Sequence, residues 1–104
     1  MLIVDAQVHV WAAHTPERPW PEDGVGREHS SVSLTPDILL SRMDDIGIDR
    51  AILVPPSWEG DYNDLAIQAA TDHPDRFAIM GRFDLGDSAN ADRLPDWKTQ
   101  TGML

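Results

Sequence analysis

Three short runs of consecutive apolar residues divide the chain: Leu2–Val4, Ala51–Val54 and Phe77–Met80. Each run is continuous rather than alternating, which is typical of β-strands that are covered on both faces. The second run is followed by Pro55 and the third by Gly81, residues that commonly end strands. The pattern therefore predicts three short, buried strands.

Helical signals lie between these runs. Thr35 can cap a helix that begins at the proline after it, and Gly47 can supply the left-handed residue that ends it. A second helix is predicted to start near Asp61 and to stop before Pro74, because the residue ahead of a proline disfavours the α conformation. A third helix is predicted over 88–97, interrupted by a proline.

The order of elements predicts an α/β fold with a parallel sheet and helices packed outside it. Three such strands begin either a barrel or a doubly wound sheet. No G-x-G-x-x-G motif follows the first strand, which disfavours a dinucleotide-binding sheet. We expect a single domain over residues 1–104.

One segment, residues 12–34, has no predicted helix or strand and contains three prolines, two glycines and Trp20. Loops of this length are usually functional or disordered. A loop after the first strand of a barrel lies on the face where active sites are built. We interpret it as a lid over a site, with a decorative or subunit-contact loop as the alternative.

Composition narrows the class of protein. Eighteen acidic residues against eight basic ones give a formal net charge of −10, which disfavours binding to nucleic acid and to anionic membranes. The absence of cysteine excludes disulfides and thiolate metal sites. The first residues carry an acid at Asp5 without a basic stretch, unlike a signal peptide. No apolar run approaches the roughly 18 residues of a membrane span, so we expect a soluble, cytoplasmic protein.

The residues after the first apolar run carry the clearest chemical signal. Asp5, Gln7 and His9 occupy alternate positions, and a strand period of two would place them on one face. In a barrel this face points inward near the mouth, where polar groups need hydrogen bonds, ligands or water. We therefore expect these three residues to lie at a functional site.

This stretch resembles the D-x-H-x-H motif on the first strand of the amidohydrolase-related family. The RAILVPPSW stretch at Arg50–Trp58 and the HPDRF stretch at His73–Phe77 are also similar to that family, and the resemblance extends over Leu2–Leu104. It implies the N-terminal part of a (β/α)8 TIM barrel, about three β-α units. A complete barrel takes about 250 residues, so we expect an incomplete one.

The family's two motif histidines bind a divalent metal, commonly zinc or manganese, but here Gln7 replaces the first of them. A glutamine oxygen suits zinc less well than an imidazole does. The family's remaining ligands would come from strands beyond Leu104. The resemblance thus implies either one divalent metal in a longer form, with His9 as a ligand, or none, as in certain lactonases.

These residues give the candidate site. We predict His9 and Asp5 as catalytic residues, with a structural role near the barrel mouth as the alternative for Asp5. We predict that Gln7, Trp11 and Trp58 bind a small-molecule substrate; the alternatives are a hydrogen-bonded interior amide for Gln7 and simple loop packing for the two tryptophans. The two histidines of the long loop, at positions 14 and 29, are expected to be solvated.

Three functions follow as hypotheses. The first is hydrolysis of an ester, lactone or amide bond in a small organic acid. The second is metal-dependent decarboxylation, which the replacement at Gln7 disfavours. The third is an inactive fragment or an interaction module, and an incomplete barrel would leave a sheet edge through which the chain could self-associate.

Overall fold

Three parallel strands form one sheet in the order of the sequence, with β1 and β3 at its edges. The computed structural model describes all residues, Met1–Leu104. The strands and helices have the following bounds: β1 Val4–Val8, α1 Pro36–Ile46, β2 Arg50–Leu53, α2 Asp64–Asp72 and β3 Phe77–Ile79. The mixed α/β class and the parallel sheet agree with the prediction and are compatible with part of a barrel.

Helix α1 forms as the sequence predicts. The Thr35 hydroxyl oxygen accepts a hydrogen bond from the Ile38 backbone N–H at 3.3 Å, satisfying one of the free donors at the helix start. Gly47 ends the helix with a φ of 78°, a conformation that favours glycine. Leu39 and Met43, one turn apart, are buried against the sheet.

Helix α2 starts at Asp64, three residues later than predicted, and ends before Pro74 as expected. The delay has a tertiary cause in the residues ahead of the helix. The Asn63 side chain donates to the Arg82 carbonyl at 2.8 Å and accepts from the Arg82 N–H at 2.7 Å. Asp61 forms an ion pair with the Arg82 side chain at 2.9 Å. These bonds hold the residues before α2 against the segment after β3.

The core lies between the helices and one face of the sheet. The prediction that these strands are covered on both faces is wrong: the buried residues of β2 and β3 alternate with partly exposed ones, because the helices cover only one face of the sheet. The main core consists of Val10, Leu39, Met43, Ala51, Leu53, Ala66, Ala69, Ala70, Phe77, Ile79 and Met103.

The prediction that the first apolar run is a buried strand is wrong. Leu2 is 60% exposed, and Ile3 and Val4 are each 46% exposed. Strand β1 begins only at Val4. The physical reason is that β1 is an edge strand and the helices cover only one sheet face, so nothing packs over these side chains.

A bulge in β1 also interrupts the predicted alternation of Asp5, Gln7 and His9. Asp5 pairs with Ala51 and Val8 with Leu53, so three steps along β1 match two along β2. One extra residue in a strand changes which face the following side chains occupy. A strict period of two therefore does not hold across this motif.

The predicted third helix does not form. Two short 3₁₀ helices, Ser88–Arg93 and Trp97–Thr99, occupy the region, and Pro95 lies between them. Proline lacks the backbone donor that a continuous helix needs. The chain then reaches Met103, which pairs in parallel with Ile79 beside β3. None of the helices is long and apolar enough to cross a membrane.

Candidate functional site at the carboxyl end of the sheet

His9 follows β1 directly and is held by the residue that follows β2. Its Nδ1 lies 2.6 Å from the Val54 carbonyl oxygen, and the ring is partly buried. A carbonyl oxygen can only accept, so Nδ1 carries the hydrogen of this bond. In the neutral imidazole, Nε2 is then left with a free lone pair, which suits a general base or a metal ligand.

His9 belongs to an aromatic cluster that also contains Trp11, Trp58 and His29. Trp58 lies in the 3₁₀ turn Ser57–Glu59 and is 6% exposed. Its ring centroid is 5.4 Å from that of His9 and 5.7 Å from that of Trp11, both edge to face. Such edge-to-face pairs are favourable beyond their burial alone. Trp58 thus fixes the orientation of the rings around it.

The long loop, residues 12–34, brings His29 to this cluster. The loop is closed at its base by a hydrogen bond from the Trp11 N–H to the Leu34 carbonyl at 3.0 Å. His29 lies with its ring centroid 4.7 Å from that of Trp58 and 5.6 Å from that of His9. His29 is exposed, as predicted, but it is packed against the cluster and is not simply solvated.

Arg18 binds the same loop to Glu59, which lies between β2 and α2, and to Asp64 at the start of α2. Its Nε donates to Glu59 at 2.9 Å, and two further nitrogens donate to the carboxylate of Asp64 at 2.6 and 2.8 Å. Its guanidinium also lies 4.5 Å from the ring centre of Tyr62. A two-pronged guanidinium–carboxylate bond combines strength with a fixed geometry.

Arg18, Glu59 and Asp64 change one another's pKa values. The hydrogen bond from Arg18 lowers the pKa of Asp64. Burial raises the pKa of Glu59, whose residue is only 2% exposed, while the bond from Arg18 works in the opposite direction. The Asp64 bond raises the pKa of Arg18, so the guanidinium stays charged. Glu59 is thus a buried acid whose charged partner is Arg18, and a hydrogen bond from the Ala12 backbone also lowers its pKa.

An open cavity of about 400 Å³ adjoins His9. Four of the predicted site residues line it, namely Asp5, Gln7, His9 and Trp11, and His29 joins them. Asp5 accepts a hydrogen bond from the Gln7 backbone N–H at 3.1 Å, across the β1 bulge. The other predicted substrate residue, Trp58, is not in the cavity wall but is buried behind His9 and His29.

His14, the second histidine of the loop, does not join the site. Its Nδ1 accepts a hydrogen bond from the Trp20 backbone N–H at 2.8 Å. Trp20 is 9% exposed and belongs to a small apolar group with Trp11 and Trp58. His14 is therefore a structural residue of the loop.

The donor set does not match a catalytic metal centre. No group of three or more His, Asp or Glu side chains is arranged to hold a metal ion. A catalytic zinc site uses three protein ligands, whereas the possible donors that line this cavity, Asp5, Gln7, His9 and His29, are not arranged as such a group. The residues of this chain alone thus do not fit the metal that the family resemblance implies.

Comparison with known proteins places this arrangement in a structural context. No protein-family model matches the chain, and no curated protein matches it. It is similar to the crystal structure of a probable 2-pyrone-4,6-dicarboxylic acid hydrolase from Acinetobacter baumannii with citric acid bound, with a TM-score of 0.74 and 23% sequence identity. The two share a fold. The similarity covers 100% of this chain and 36% of that one, so the chain spans about a third of that protein's length.

Proposed function

We propose that this chain forms part of the active site of a hydrolase that opens an ester or lactone bond in a small organic acid. The observation that carries the proposal is the fixed imidazole of His9, which lines an open cavity at the carboxyl end of the sheet and has no hydrogen bond at Nε2. The structural neighbour supports the substrate class, because a 2-pyrone is a cyclic ester and citric acid is a small polycarboxylate.

The proposed reaction is attack of water on the ester carbonyl. His9 Nε2 takes a proton from the water as its oxygen bonds to the carbonyl carbon. The bond between that carbon and the ring oxygen then breaks, and the departing oxygen receives the proton from His9. The Val54 carbonyl keeps the ring oriented and stabilises the imidazolium that forms, because it accepts the hydrogen bond from Nδ1.

The other predicted residues take supporting roles in this proposal. Asp5 fixes the backbone of Gln7 through the bond across the bulge, and is thus a positioning residue. Gln7 offers its amide to a substrate oxygen, and Trp11 provides an apolar wall. Trp58 supports His9 from behind.

The proposal extends to the architecture. The described β-α units would supply the first part of a (β/α)8 barrel, whose active sites lie at the carboxyl ends of the strands. His9 has this position, one residue after β1. We also propose a cytoplasmic location, since the absence of cysteine fits a reducing compartment.

Replacement of His9 tests the function. We expect His9→Ala to lower kcat/KM for ring opening of 2-pyrone-4,6-dicarboxylate about 100-fold or more, which is typical for loss of a general base. His9→Gln should be equally impaired, because an amide cannot take up the proton. The loss of pyrone absorbance with time measures the rate.

His73→Ala is the matched control, because this histidine lies at the end of α2 and has no contact with the cavity. It should retain the parent rate within about twofold, a change of only ~0.4 kcal/mol. Turnover in His9→Ala equal to that of the parent protein would remove His9 from the mechanism. A parent protein that hydrolyses neither pyrone nor simple lactones would refute the proposed function.

A further inference from the structure

His29 has the contacts of a site residue although it lies in a loop 20 positions beyond His9. It lines the same cavity as His9, and its ring packs on the buried Trp58. Of the residues that line this cavity, only His9 and His29 can carry a positive charge.

The imidazoles of His9 and His29 can form hydrogen bonds of opposite direction in this cavity. His9 has its Nδ1–H committed to Val54, so its neutral ring offers the cavity an acceptor. Among the histidine rings, only Nδ1 of His9 and Nδ1 of His14 form hydrogen bonds within the protein. Both ring nitrogens of His29 are therefore free, and one of them carries a hydrogen in either tautomer. His29 can donate where His9 accepts.

The fold anchors the loop that carries His29. Gly24 packs so closely on Trp58 that a Cβ there would overlap the Trp58 carbonyl oxygen. Arg18 binds the same turn through Glu59. Two independent contacts thus join the loop to the turn that carries Trp58, and Trp58 supports the His29 ring.

We propose that His29 is a substrate-contacting residue, which donates a hydrogen bond to a carboxylate or carbonyl oxygen of a small carboxylate substrate bound beside His9. This inference rests on the proposed function for the identity of the substrate class. It adds a recognition role that no motif in the sequence indicates. In the reaction, such a donor would stabilise the negative charge that develops on the carbonyl oxygen.

Binding of a compound that cannot be hydrolysed tests the inference separately from turnover. Pyridine-2,4-dicarboxylate is planar, carries two carboxylates and has no ester bond, and calorimetric titration gives its Kd. We expect His29→Ala to raise this Kd about tenfold, the loss expected for one hydrogen bond to a charged group. His29→Phe keeps an aromatic ring without the donor and should resemble His29→Ala.

His29→Gln restores an N–H donor, so its Kd should return to within about threefold of the parent value, or ~0.7 kcal/mol. Ser31→Ala, an exposed change two residues away, is the control and should leave the Kd unchanged. Circular dichroism confirms that each variant is folded.

The outcomes separate the two proposals. A parent protein that binds the dicarboxylate but does not hydrolyse the pyrone refutes the function, while the variants still decide the role of His29. Equal Kd values for parent and His29→Ala overturn the inference, as does a parent protein that does not bind. Binding that is abolished by EDTA would assign the two histidines to a metal ion and would likewise overturn it.

Discussion

Arg18 joins the long loop to two carboxylates, Glu59 in the turn after β2 and Asp64 at the start of α2. Glu59 is buried and its pKa is raised by burial, whereas the pKa of Asp64 is lowered by its bond to Arg18. Asp64 has a side chain that is 60% exposed, so solvent screens much of its attraction. The contact with Glu59 is therefore the more important of the two for stability.

We expect Arg18→Ala to lower the free energy of unfolding by about 2 kcal/mol at pH 7, since it leaves a buried carboxylate without its partner. The loss should shrink as the pH falls. Asp64, with its lowered pKa, keeps its contribution at pH 4 and loses it only as the pH falls through the folded value, so the difference between pH 7 and pH 4 comes from Glu59. Glu59 without Arg18 is protonated at low pH and no longer buries a charge.

Urea unfolding of both proteins at pH 7 and pH 4 measures this difference. Arg93→Ala is the matched control, because its side chain is exposed and bonds only to Asn90. It should change stability by less than about 0.5 kcal/mol. A destabilisation in Arg18→Ala that is equal at both pH values would contradict the assigned role of Glu59.

At the scale of elements, the loop over residues 12–34 is a packed part of the structure. Its ends meet at Trp11 and Leu34, its Trp20 is buried, and its Gly24 lies on the turn that carries Trp58. These contacts support a loop that forms one wall of the site. Whether it also opens and closes as a lid stays a prediction.

Gly24→Ala tests how closely the loop is seated. The added Cβ would overlap the Trp58 carbonyl, and the backbone shift that relieves this should cost about 1–3 kcal/mol of unfolding free energy. It should also weaken dicarboxylate binding, because His29 moves with the loop. Gly86→Ala, where a Cβ would come no nearer than 3.2 Å to the Asp84 side chain, is the control. Thermal unfolding of the two variants measures this difference. Equal unfolding temperatures for Gly24→Ala and Gly86→Ala would show that the loop is loosely held.

At the scale of the whole molecule, β1 leaves apolar residues uncovered. Leu2, Ile3 and Val4 are exposed along the start of an edge strand, which is a template for pairing with another chain. Self-association through this edge stays a prediction.

Val4→Lys tests it, because a charge on an edge strand disfavours pairing. We expect the parent protein to form larger species as its concentration rises in sedimentation velocity experiments, and the variant to remain closer to monomer. Leu85→Lys is the control, because it adds the same charge at a residue that is 87% exposed and lies outside the sheet. It should self-associate like the parent protein. A parent protein that stays monomeric at all concentrations would contradict the prediction.

The sequence by itself determined the elements whose starts and ends depend only on residues adjacent along the chain. Helix α1 could be predicted from Thr35 to Gly47 because its caps are local. Parallel pairing followed from the order of strands and helices. The prediction of a third helix is wrong although its cause is also local, because Pro95 outweighs the weak helical pattern around it.

The tertiary structure alone decided how the site is assembled. Its key contacts join residues far apart in sequence: Arg18 and Asp64 are 46 positions apart, and His9 and Val54 are 45 apart. Asp5, Gln7 and His9 could be found from their motif, whereas His29 and Arg18 lie in an aperiodic, proline-containing loop that carries no signal of its partners. Local patterns set the strands and helices, but the packing of the loop on Trp58 depends on shape and charge that meet only in the folded chain.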